Sequence, residues 1–207
     1  MIVLPKVYPL TDVTLTGLSH AEQVRRLAEG GASIIQLREK TMAAREFYEE
    51  ARIAQLVARQ YSIKLIINDR ADIAAAIGAD GVHLGQDDLP VSAAREMLGP
   101  KAIIGLSTHN LGQAQEAVRL PVDYIAVGPI FSTVTKADTA QVLGLAGLKA
   151  IRQEVGEVPL VAIGGISVEL ARQVIDAGAS AIALINALLA HRSEITARTT
   201  TLIQALG

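Results

Sequence analysis

The sequence predicts an α/β protein with the fold of a TIM (β/α)8 barrel, formed as a single compact domain by residues 1–207. Eight short apolar runs recur along the chain, and each is followed by a helical pattern. Most of them begin 17 to 31 residues after the run before, close to the length of one βα unit. Polar residues follow nearly every run, as expected when the loops after the strands build the functional site.

Taken in order, the predicted strands begin at Val7, Ile34, Leu65, Val82, Ile103, Tyr124, Leu160 and Ala181. Helix signals lie between them: Ser19 with Glu22 forms a capping-box pattern, and Asn110 and Ser167 stand where helices begin. Glycines stand where helices end. A doubly wound open sheet also alternates strands and helices, but no GxGxxG motif follows the first strand.

Composition narrows the range of functions. Half of the residues are hydrophobic and only six are aromatic, which indicates an aliphatic core of helices packed on a parallel sheet. With 19 basic and 21 acidic residues and no block of like charge, no nucleic-acid or membrane partner is expected. The absence of cysteine excludes disulfides and thiolate catalysis. No signal peptide or membrane span is recognisable, which favours a cytoplasmic protein.

Two acids after neighbouring strands provide the first candidate site. Asp69 directly follows the third run, and Asp88 lies shortly after the fourth. If these strands are parallel neighbours, the two carboxylates meet at one rim, where they suit Mg²⁺ or a general acid and base. Asn68 offers a further oxygen or hydrogen bond. The alternative is that Asp69 caps the following helix and that Asp88 is a solvated loop acid.

The second strand ends in a cluster of polar side chains. Because side chains alternate along a strand, Gln36, Arg38 and Lys40 share one face and Glu39 points the other way. Cations beside two acids suit a metal-bound diphosphate, because Arg and Lys contact the oxygens that the metal leaves free. The alternative is a surface ion pair, which would contribute less than about 1 kcal/mol.

A second anionic subsite is expected on the other side of the barrel mouth. The long segment FSTVTKADTAQVLG contains Thr133, Thr135 and Lys136, which could clamp an anion, although a solvated surface loop is the alternative. Gly164-Gly165 and Ile185-Asn186 follow the last two strands, where such barrels often hold a phosphate, although glycine pairs also mark turns. Two anionic subsites predict two phosphorylated small-molecule substrates.

Histidines and serines give a weaker signal. Ser107 and His109 follow the fifth strand and raise the question of a hydrolase, but no orienting acid is identifiable. His109 is a candidate acid or base, or a residue that hydrogen-bonds a loop. His83 lies within a strand and is expected to be structural, while His20 and His191 are expected to be exposed.

Six segments occur in the order and at the spacing of a known family: QLREK, INDRADIA, GADGVHLGQDDLP, GLSTH, VGPIFSTVTK and VAIGGI. With them, nearly the whole chain resembles the thiamine phosphate synthase (thiamine-phosphate pyrophosphorylase) family of TIM barrels. The resemblance implies a transferase that joins hydroxymethylpyrimidine diphosphate to thiazole phosphate and releases pyrophosphate. It also implies ionisation of the diphosphate before the thiazole nitrogen captures the pyrimidine cation, so no protein nucleophile is needed.

The resemblance also implies roles for individual residues. Mg²⁺ would be held by Asp69 and Asp88. The diphosphate would be bound by Arg38, Lys40, Asn68 and Lys136, the pyrimidine by Gln36 and Ser107, and the thiazole phosphate by Thr133, Thr135, Gly165, Ile185 and Asn186. Among these, Lys136, Ser107 and Arg38 are expected to take part in catalysis.

Two departures from the family pattern and two other functions stay open. Ser132 stands where the family usually has proline, and Asn186 replaces the commoner serine, although an asparagine N–H can still donate. A TenI-like thiazole tautomerase would use His109 as its acid and base. A non-catalytic sensor of a thiamine precursor would bind a phosphorylated ligand without turnover. The sequence does not determine whether the protein forms a homo-oligomer.

Overall fold

A computed structural model of the chain describes residues 2–132 and 141–207. Within them, eight parallel strands form one sheet that closes almost completely into a barrel. The strands are β1 Val7–Pro9, β2 Ile34–Leu37, β3 Lys64–Asn68, β4 Gly81–Leu84, β5 Ile103–Thr108, β6 Tyr124–Val127, β7 Leu160–Ile163 and β8 Ala181–Leu184. All eight begin at the predicted residue or one residue before it, so the predicted strands and fold class are confirmed.

From β2 to β8 each strand pairs with the next one in sequence, and β8 also pairs with β1. The remaining seam, between β1 and β2, is joined at the bridge of Leu10 with Gln36, where the Thr11 N–H donates to the Gln36 carbonyl at 2.9 Å. The carboxyl ends of all eight strands therefore meet at one rim, where the loops after the strands can contribute to one site.

Helices cover the outside of the barrel. They are α1 Val13–Thr16, α2 His20–Glu29, α3 Ala44–Gln60, α4 Ala71–Ile77, α5 Val91–Leu98, α6 Leu111–Ala117, α7 Gly144–Val155, α8 Val168–Asp176, α9 Asn186–Leu189 and α10 Ile195–Leu206. Among these helices, none is both long and apolar enough to cross a membrane.

The predicted helix caps are largely confirmed. Ser19 Oγ accepts a hydrogen bond from the Glu22 N–H at 3.2 Å, and Asn110 Oδ1 accepts one from the Gln113 N–H at 2.9 Å. Ser167 stands at the N-cap of α8, but its side chain makes no capping hydrogen bond. Gly78, just after α4, adopts a φ of +62°, the left-handed conformation that glycine permits at a helix end.

The core has two layers, as strand alternation requires. Outward-facing strand residues such as Ile35 and Val82 pack against the helices in one aliphatic cluster. Inward-facing residues such as Ile66 and Val161 fill the barrel interior together with Tyr8 and Tyr124. The aliphatic core expected from composition therefore holds for the outer layer, whereas two buried tyrosines occupy the centre.

Candidate active site

Asp69 marks the point where β3 reaches the rim. Its φ of +62° places it in the left-handed region, which Asp tolerates better than most residues. The Asp69 N–H donates to the His83 carbonyl at 2.7 Å, and Asn68 Nδ2 donates to Asp69 Oδ1 at 2.6 Å. The N-cap of α4 is Arg70, which has no side-chain capping bond, so Asp69 does not cap that helix. The alternative interpretation of Asp69 is therefore wrong.

Asp88 turns back from the loop after β4 toward Asp69. Its Oδ2 accepts the Gly85 N–H at 2.6 Å, and the side chain is partly buried. Burial raises the pKa of the Asp88 carboxyl, and the charge and hydrogen bond of the neighbouring Asp69 raise it further. The Gly85 N–H and Lys40 lower the pKa by a smaller amount, so the net shift is upward. The two acids thus form a close pair at the rim, and Asp88 is not a free, solvated acid.

Two cations from the loop after β2 pair with acids at the rim, and one of them, Lys40, contacts the acid pair. Lys40 Nζ forms an ion pair with Asp69, and its side chain is 44% exposed. Arg38 Nη1 lies 3.0 Å from Asp12 Oδ2, and both side chains are mostly buried. Asp12 was not among the residues predicted from the sequence. It is also the N-cap of α1, where its Oδ1 accepts the Leu15 N–H at 2.9 Å.

A chain of polar side chains crosses the barrel interior beneath these residues. Gln36 Nε2 donates to the Tyr8 hydroxyl at 3.2 Å, and the Tyr8 and Tyr124 hydroxyls are 3.0 Å apart. The Tyr124 hydroxyl lies 2.9 Å from His83 Nδ1, and His83 Nε2 lies 2.8 Å from Ser107 Oγ. The chain therefore connects Gln36 with Ser107, the two residues expected to contact the pyrimidine.

Gly105 makes room for the middle of this chain. The His83 ring stacks on the Tyr124 ring, with centroids 5.4 Å apart and an interplanar angle of 18°. A Cβ on Gly105 would lie 2.1 Å from Tyr124 Cζ and 2.5 Å from His83 Nδ1. The stacked pair therefore depends on glycine at this inward-facing position of β5.

The sequence analysis missed Tyr8 and Tyr124 and assigned His83 only a structural role. A usable signal was present, since tyrosines are rare in this chain and these two lie in strands that are otherwise aliphatic. Two polar aromatic residues on buried strands require partners, and the inward-facing polar residues of neighbouring strands can supply them.

The hydrolase interpretation of Ser107 and His109 is not supported by the geometry. Ser107 Oγ contacts His83, whose other ring nitrogen faces a tyrosine hydroxyl where a catalytic triad has a carboxylate. His109 Nδ1 lies 2.8 Å from the Gly128 carbonyl oxygen. A carbonyl only accepts, so Nδ1 carries the proton and Nε2 is left as the basic nitrogen.

His20 corrects a further expectation. It was expected to be exposed, but it is completely buried beside the rim, whereas His191 is exposed as expected. The ring lies next to Phe47, with centroids 5.8 Å apart. The start of α2 faces the loop after β2, and sequence position alone could not show this.

The second predicted subsite is described only in part. Gly165, Ile185 and Asn186 follow β7 and β8 at the same rim. Gly165 has a φ of +64°, and a Cβ there would lie 2.4 Å from the Ser132 carbonyl oxygen, so glycine permits a close approach of two loops. Thr133, Thr135 and Lys136 lie outside the described residues.

No group of three or more His, Asp or Glu side chains able to hold a metal occurs in residues 2–132 and 141–207. The rim offers a pair of carboxylates with Lys40 beside it and the Arg38–Asp12 ion pair from the same loop, above an interior hydrogen-bonded chain. Such a set can bind a phosphorylated group and orient a polar ring next to it.

Comparison with known proteins agrees with this geometry. A family model described as thiamine monophosphate synthase matches residues 7–188. The thiamine-phosphate synthase of Syntrophomonas wolfei is 48% identical over 184 residues, which cover 88% of each chain. That of Chloroflexus aurantiacus is 47% identical over 186 residues, covering 89% of this chain and 85% of the relative.

Solved structures agree as well. The thiamine phosphate pyrophosphorylase of Pyrococcus furiosus superposes with a TM-score of 0.87 at 36% identity, covering 98% of this chain and 96% of that one. A 3-hexulose-6-phosphate synthase, with a TM-score of 0.70 and 18% identity, shares the fold alone. The family model spans most of the chain and the relatives are similar over nearly their whole length. The chain therefore belongs to the thiamine monophosphate synthase family.

Proposed function

We propose that this protein joins hydroxymethylpyrimidine diphosphate to thiazole phosphate, forming thiamine phosphate and releasing pyrophosphate in a Mg²⁺-dependent reaction. The observation that carries the proposal is the pair Asp69 and Asp88 with Lys40 beside it and Arg38 on the same loop as Lys40, in a member of this family. The names of the relatives, thiamine-phosphate synthases, support the same reaction. The charged, phosphorylated substrates suit the cytoplasm, the location expected from the sequence.

Asp69 and Asp88 fit a magnesium ion. Burial raises the pKa of the Asp88 carboxyl, and Asp69 lies close enough to raise it further; a divalent cation held by the two acids would offset their repulsion. Mg²⁺ typically takes one or two carboxylates and leaves its other positions to water and substrate phosphates, which suits a site with two acids. When bound, the ion would supply positive charge to the diphosphate leaving group.

The cations of the β2 loop suit the diphosphate. In the structure, Arg38 and Lys40 are paired with Asp12 and Asp69. Because the Lys40 side chain is 44% exposed, its ion pair contributes less than about 1 kcal/mol, and exchanging Asp69 for a phosphate oxygen costs little. Asn68 would add a donor at the end of β3. Lys136, outside the described residues, would add a further cation.

The interior chain gives Gln36 and Ser107 a defined orientation for the pyrimidine. Both are anchored from below, Gln36 by Tyr8 and Ser107 by His83. On the opposite side of the mouth, Gly165, Ile185 and Asn186, together with Thr133 and Thr135, would hold the thiazole phosphate. The two reactants would then meet above the barrel interior.

In the proposed reaction, the bond between the pyrimidine methylene carbon and the diphosphate oxygen breaks first, and its electron pair leaves with pyrophosphate. The lone pair of the thiazole nitrogen then forms the new carbon–nitrogen bond. Arg38 and Lys136 stabilise the departing negative charge, and Ser107 orients the pyrimidine. No residue needs to act as a nucleophile, consistent with the absence of cysteine.

A second candidate is a thiazole tautomerase that uses His109. The Gly128 carbonyl holds the proton on Nδ1 and leaves Nε2 as a base, as a tautomerase would require. Such an enzyme has no diphosphate to stabilise, however, and the acid pair with its cations would then have no role. Turnover of a thiazole phosphate tautomer alone, without the pyrimidine substrate or Mg²⁺, would favour this candidate.

The proposal is tested by pyrophosphate release from the two substrates, with and without Mg²⁺. Asp69→Asn and Asp88→Asn should each lower kcat/KM by at least about a hundredfold, because each removes a charge that binds the metal. Asp87→Asn is the matched control, since Asp87 is the exposed neighbour of Asp88 and should leave the rate unchanged. Full activity without Mg²⁺, or near-wild-type rates in both site variants, would refute the proposal.

A further inference from the structure

The loop that follows β2 carries Arg38 and Lys40, and Glu39 between them points to the opposite side. Glu39 Oε1 accepts three backbone N–H groups of this loop, from Lys40 at 2.7 Å, Thr41 at 2.6 Å and Met42 at 3.1 Å. It also accepts the Thr41 hydroxyl at 2.9 Å. One carboxylate oxygen therefore sets the path of the loop between the two cations and α3.

The other carboxylate oxygen faces a buried histidine from a different element. Glu39 Oε2 lies 3.4 Å from His20 Nε2, and the two side chains are 6% and 0% exposed. His20 is the first residue of α2, and its Nδ1 lies 2.7 Å from Thr11 Oγ1. Thr11, which is also fully buried, follows β1. His20 thus connects the segment after β1 with the loop after β2.

The hydrogen-bond partners assign the protons of this cluster. The backbone N–H of Arg38 donates to Thr11 Oγ1 at 3.2 Å, so the Thr11 hydroxyl is the acceptor in this bond. Its single proton is therefore available for a second partner. The Gln36 carbonyl is 3.5 Å away and His20 Nδ1 only 2.7 Å, so the Thr11 hydroxyl donates to His20. Nδ1 therefore accepts, and the ring proton resides on Nε2, which faces Glu39.

His20 is neutral in this arrangement. Burial lowers its pKa, while Glu39, Glu50 and Asp12 raise it to a smaller extent. A neutral ring with its proton on Nε2 accepts from Thr11 and places its N–H 3.4 Å from the Glu39 carboxylate, a polar contact that does not have hydrogen-bond geometry. Hydrogen bonds therefore run from the Arg38 backbone N–H through Thr11 to His20. From His20 the series goes on to Glu39 by a buried polar contact of 3.4 Å that lacks hydrogen-bond geometry, and Glu39 in turn accepts the Lys40 backbone N–H.

We infer that His20 is a positioning residue for the diphosphate subsite. It touches no substrate, but through Thr11 it orders the backbone at Arg38, and through Glu39 it orders the backbone at Lys40. This role rests on the proposed function, in which these two cations bind the diphosphate. The thiazole phosphate subsite, expected after β7 and β8 on other elements, provides an internal reference that a change at His20 should leave untouched.

Three substitutions at His20 separate the two connections. His20→Leu removes both. His20→Asn keeps an acceptor at the position of Nδ1, and His20→Gln keeps an N–H donor at the position of Nε2, because each amide has the same number of bonds from Cβ as the corresponding ring nitrogen. Thr11→Val removes only the hydroxyl. Thr199→Val is its matched control, since Thr199 is also fully buried and hydrogen-bonded, to the Ile195 carbonyl at 2.7 Å, but lies in α10.

The test is steady-state kinetics with each substrate varied in turn. His20→Leu should raise KM for the pyrimidine diphosphate about tenfold, because it leaves the buried Thr11 hydroxyl without its acceptor and Glu39 without its polar neighbour, with KM for the thiazole phosphate unchanged. His20→Gln should recover most of the loss, and Thr11→Val should show the same selectivity to a smaller degree. Equal increases of both KM values, no change in His20→Leu, or no recovery in His20→Gln would overturn the inference.

Two controls keep the outcome interpretable. If His20→Leu does not fold, Thr11→Val against Thr199→Val decides the question, because both are isosteric changes of buried threonines. If the wild-type protein releases no pyrophosphate from the two substrates, the proposed function fails. The positioning role is then tested by calorimetric titration with pyrophosphate and Mg²⁺, where His20→Leu should bind about tenfold more weakly than the wild type. Equal binding by the two proteins would overturn it.

Discussion

Replacing Tyr124 with phenylalanine should break the interior chain at its centre. Tyr124 is fully buried, and its hydroxyl lies 3.0 Å from the Tyr8 hydroxyl and 2.9 Å from His83 Nδ1. Each buried hydrogen bond contributes a net of about 1 kcal/mol, so Tyr124→Phe should lower the free energy of unfolding by about 2 kcal/mol. The ring remains, so its apolar contacts and its stacking on His83 are retained.

Urea denaturation measures this loss directly. Tyr61→Phe is the matched control, because Tyr61 is 40% exposed and its hydroxyl donates to Glu29 at 3.3 Å. Its free energy of unfolding should change by less than about 0.5 kcal/mol, as for most surface substitutions. A Tyr124→Phe protein as stable as Tyr61→Phe would show that the chain contributes no net stability.

The double variant Tyr8→Phe/Tyr124→Phe tests whether the hydroxyls act together. Each single variant loses the bond between the two tyrosines, so the double loss should be smaller than the sum of the single losses by about 1 kcal/mol. Because His83 then anchors Ser107 less firmly, KM for the pyrimidine substrate should also rise. Strictly additive losses would contradict direct coupling of the two hydroxyls.

Three further predictions concern other residues of the rim and interior. Gly105→Ala should destabilise the protein by about 1–3 kcal/mol in urea denaturation, because its Cβ would overlap the Tyr124 ring; unchanged stability would contradict the close packing. Burial raises the pKa of Glu39, but hydrogen bonds from the loop lower it more, to about 2. The unfolded value is higher, so this stabilisation is present above about pH 4.5 and is lost as the pH falls toward 2. Between these pH values, the free energy of unfolding should therefore fall less in Glu39→Gln than in the wild type. Urea denaturation at a series of pH values measures this, and equal falls in the two proteins would contradict the prediction. Gly165→Ala should raise KM for the thiazole phosphate, because its Cβ would push against the Ser132 carbonyl, and an unchanged KM would argue against that subsite.

Much of the rim was predictable from local pattern. Alternation predicted that Glu39 lies apart from Arg38 and Lys40, and Glu39 does face His20 while Lys40 pairs with Asp69. These residues follow the end of β2 at Leu37, so the hydrogen bonds of the Glu39 carboxylate to the loop, and not the strand itself, hold that arrangement. The meeting of Asp69 and Asp88 followed from the parallel pairing of β3 with β4, which the βα spacing already indicated. The roles of these residues in binding metal and substrates stay predictions.

Other contacts depend on which strands lie opposite each other. Tyr8 and Tyr124 are 116 positions apart and belong to β1 and β6, which are not neighbours in the sheet. Alternation shows that both side chains point inward, but only the closed barrel decides that their hydroxyls meet. The same holds for His83, whose structural interpretation was incomplete because its partners come from two other strands.

By itself, the sequence determined the eight strands, their parallel order, several helix ends and some of the polar residues at the rim, among them Asp69, Asp88 and Lys40, because these follow from periodicity, caps and spacing along the chain. The tertiary structure alone decided that Asp12 pairs with Arg38, that His20 is buried against Thr11 and Glu39, and that the two tyrosines join Gln36 to Ser107. Side-chain direction is a local property of the backbone. The partner that a buried polar group finds depends instead on how the barrel closes, and this brings together residues that are distant along the chain.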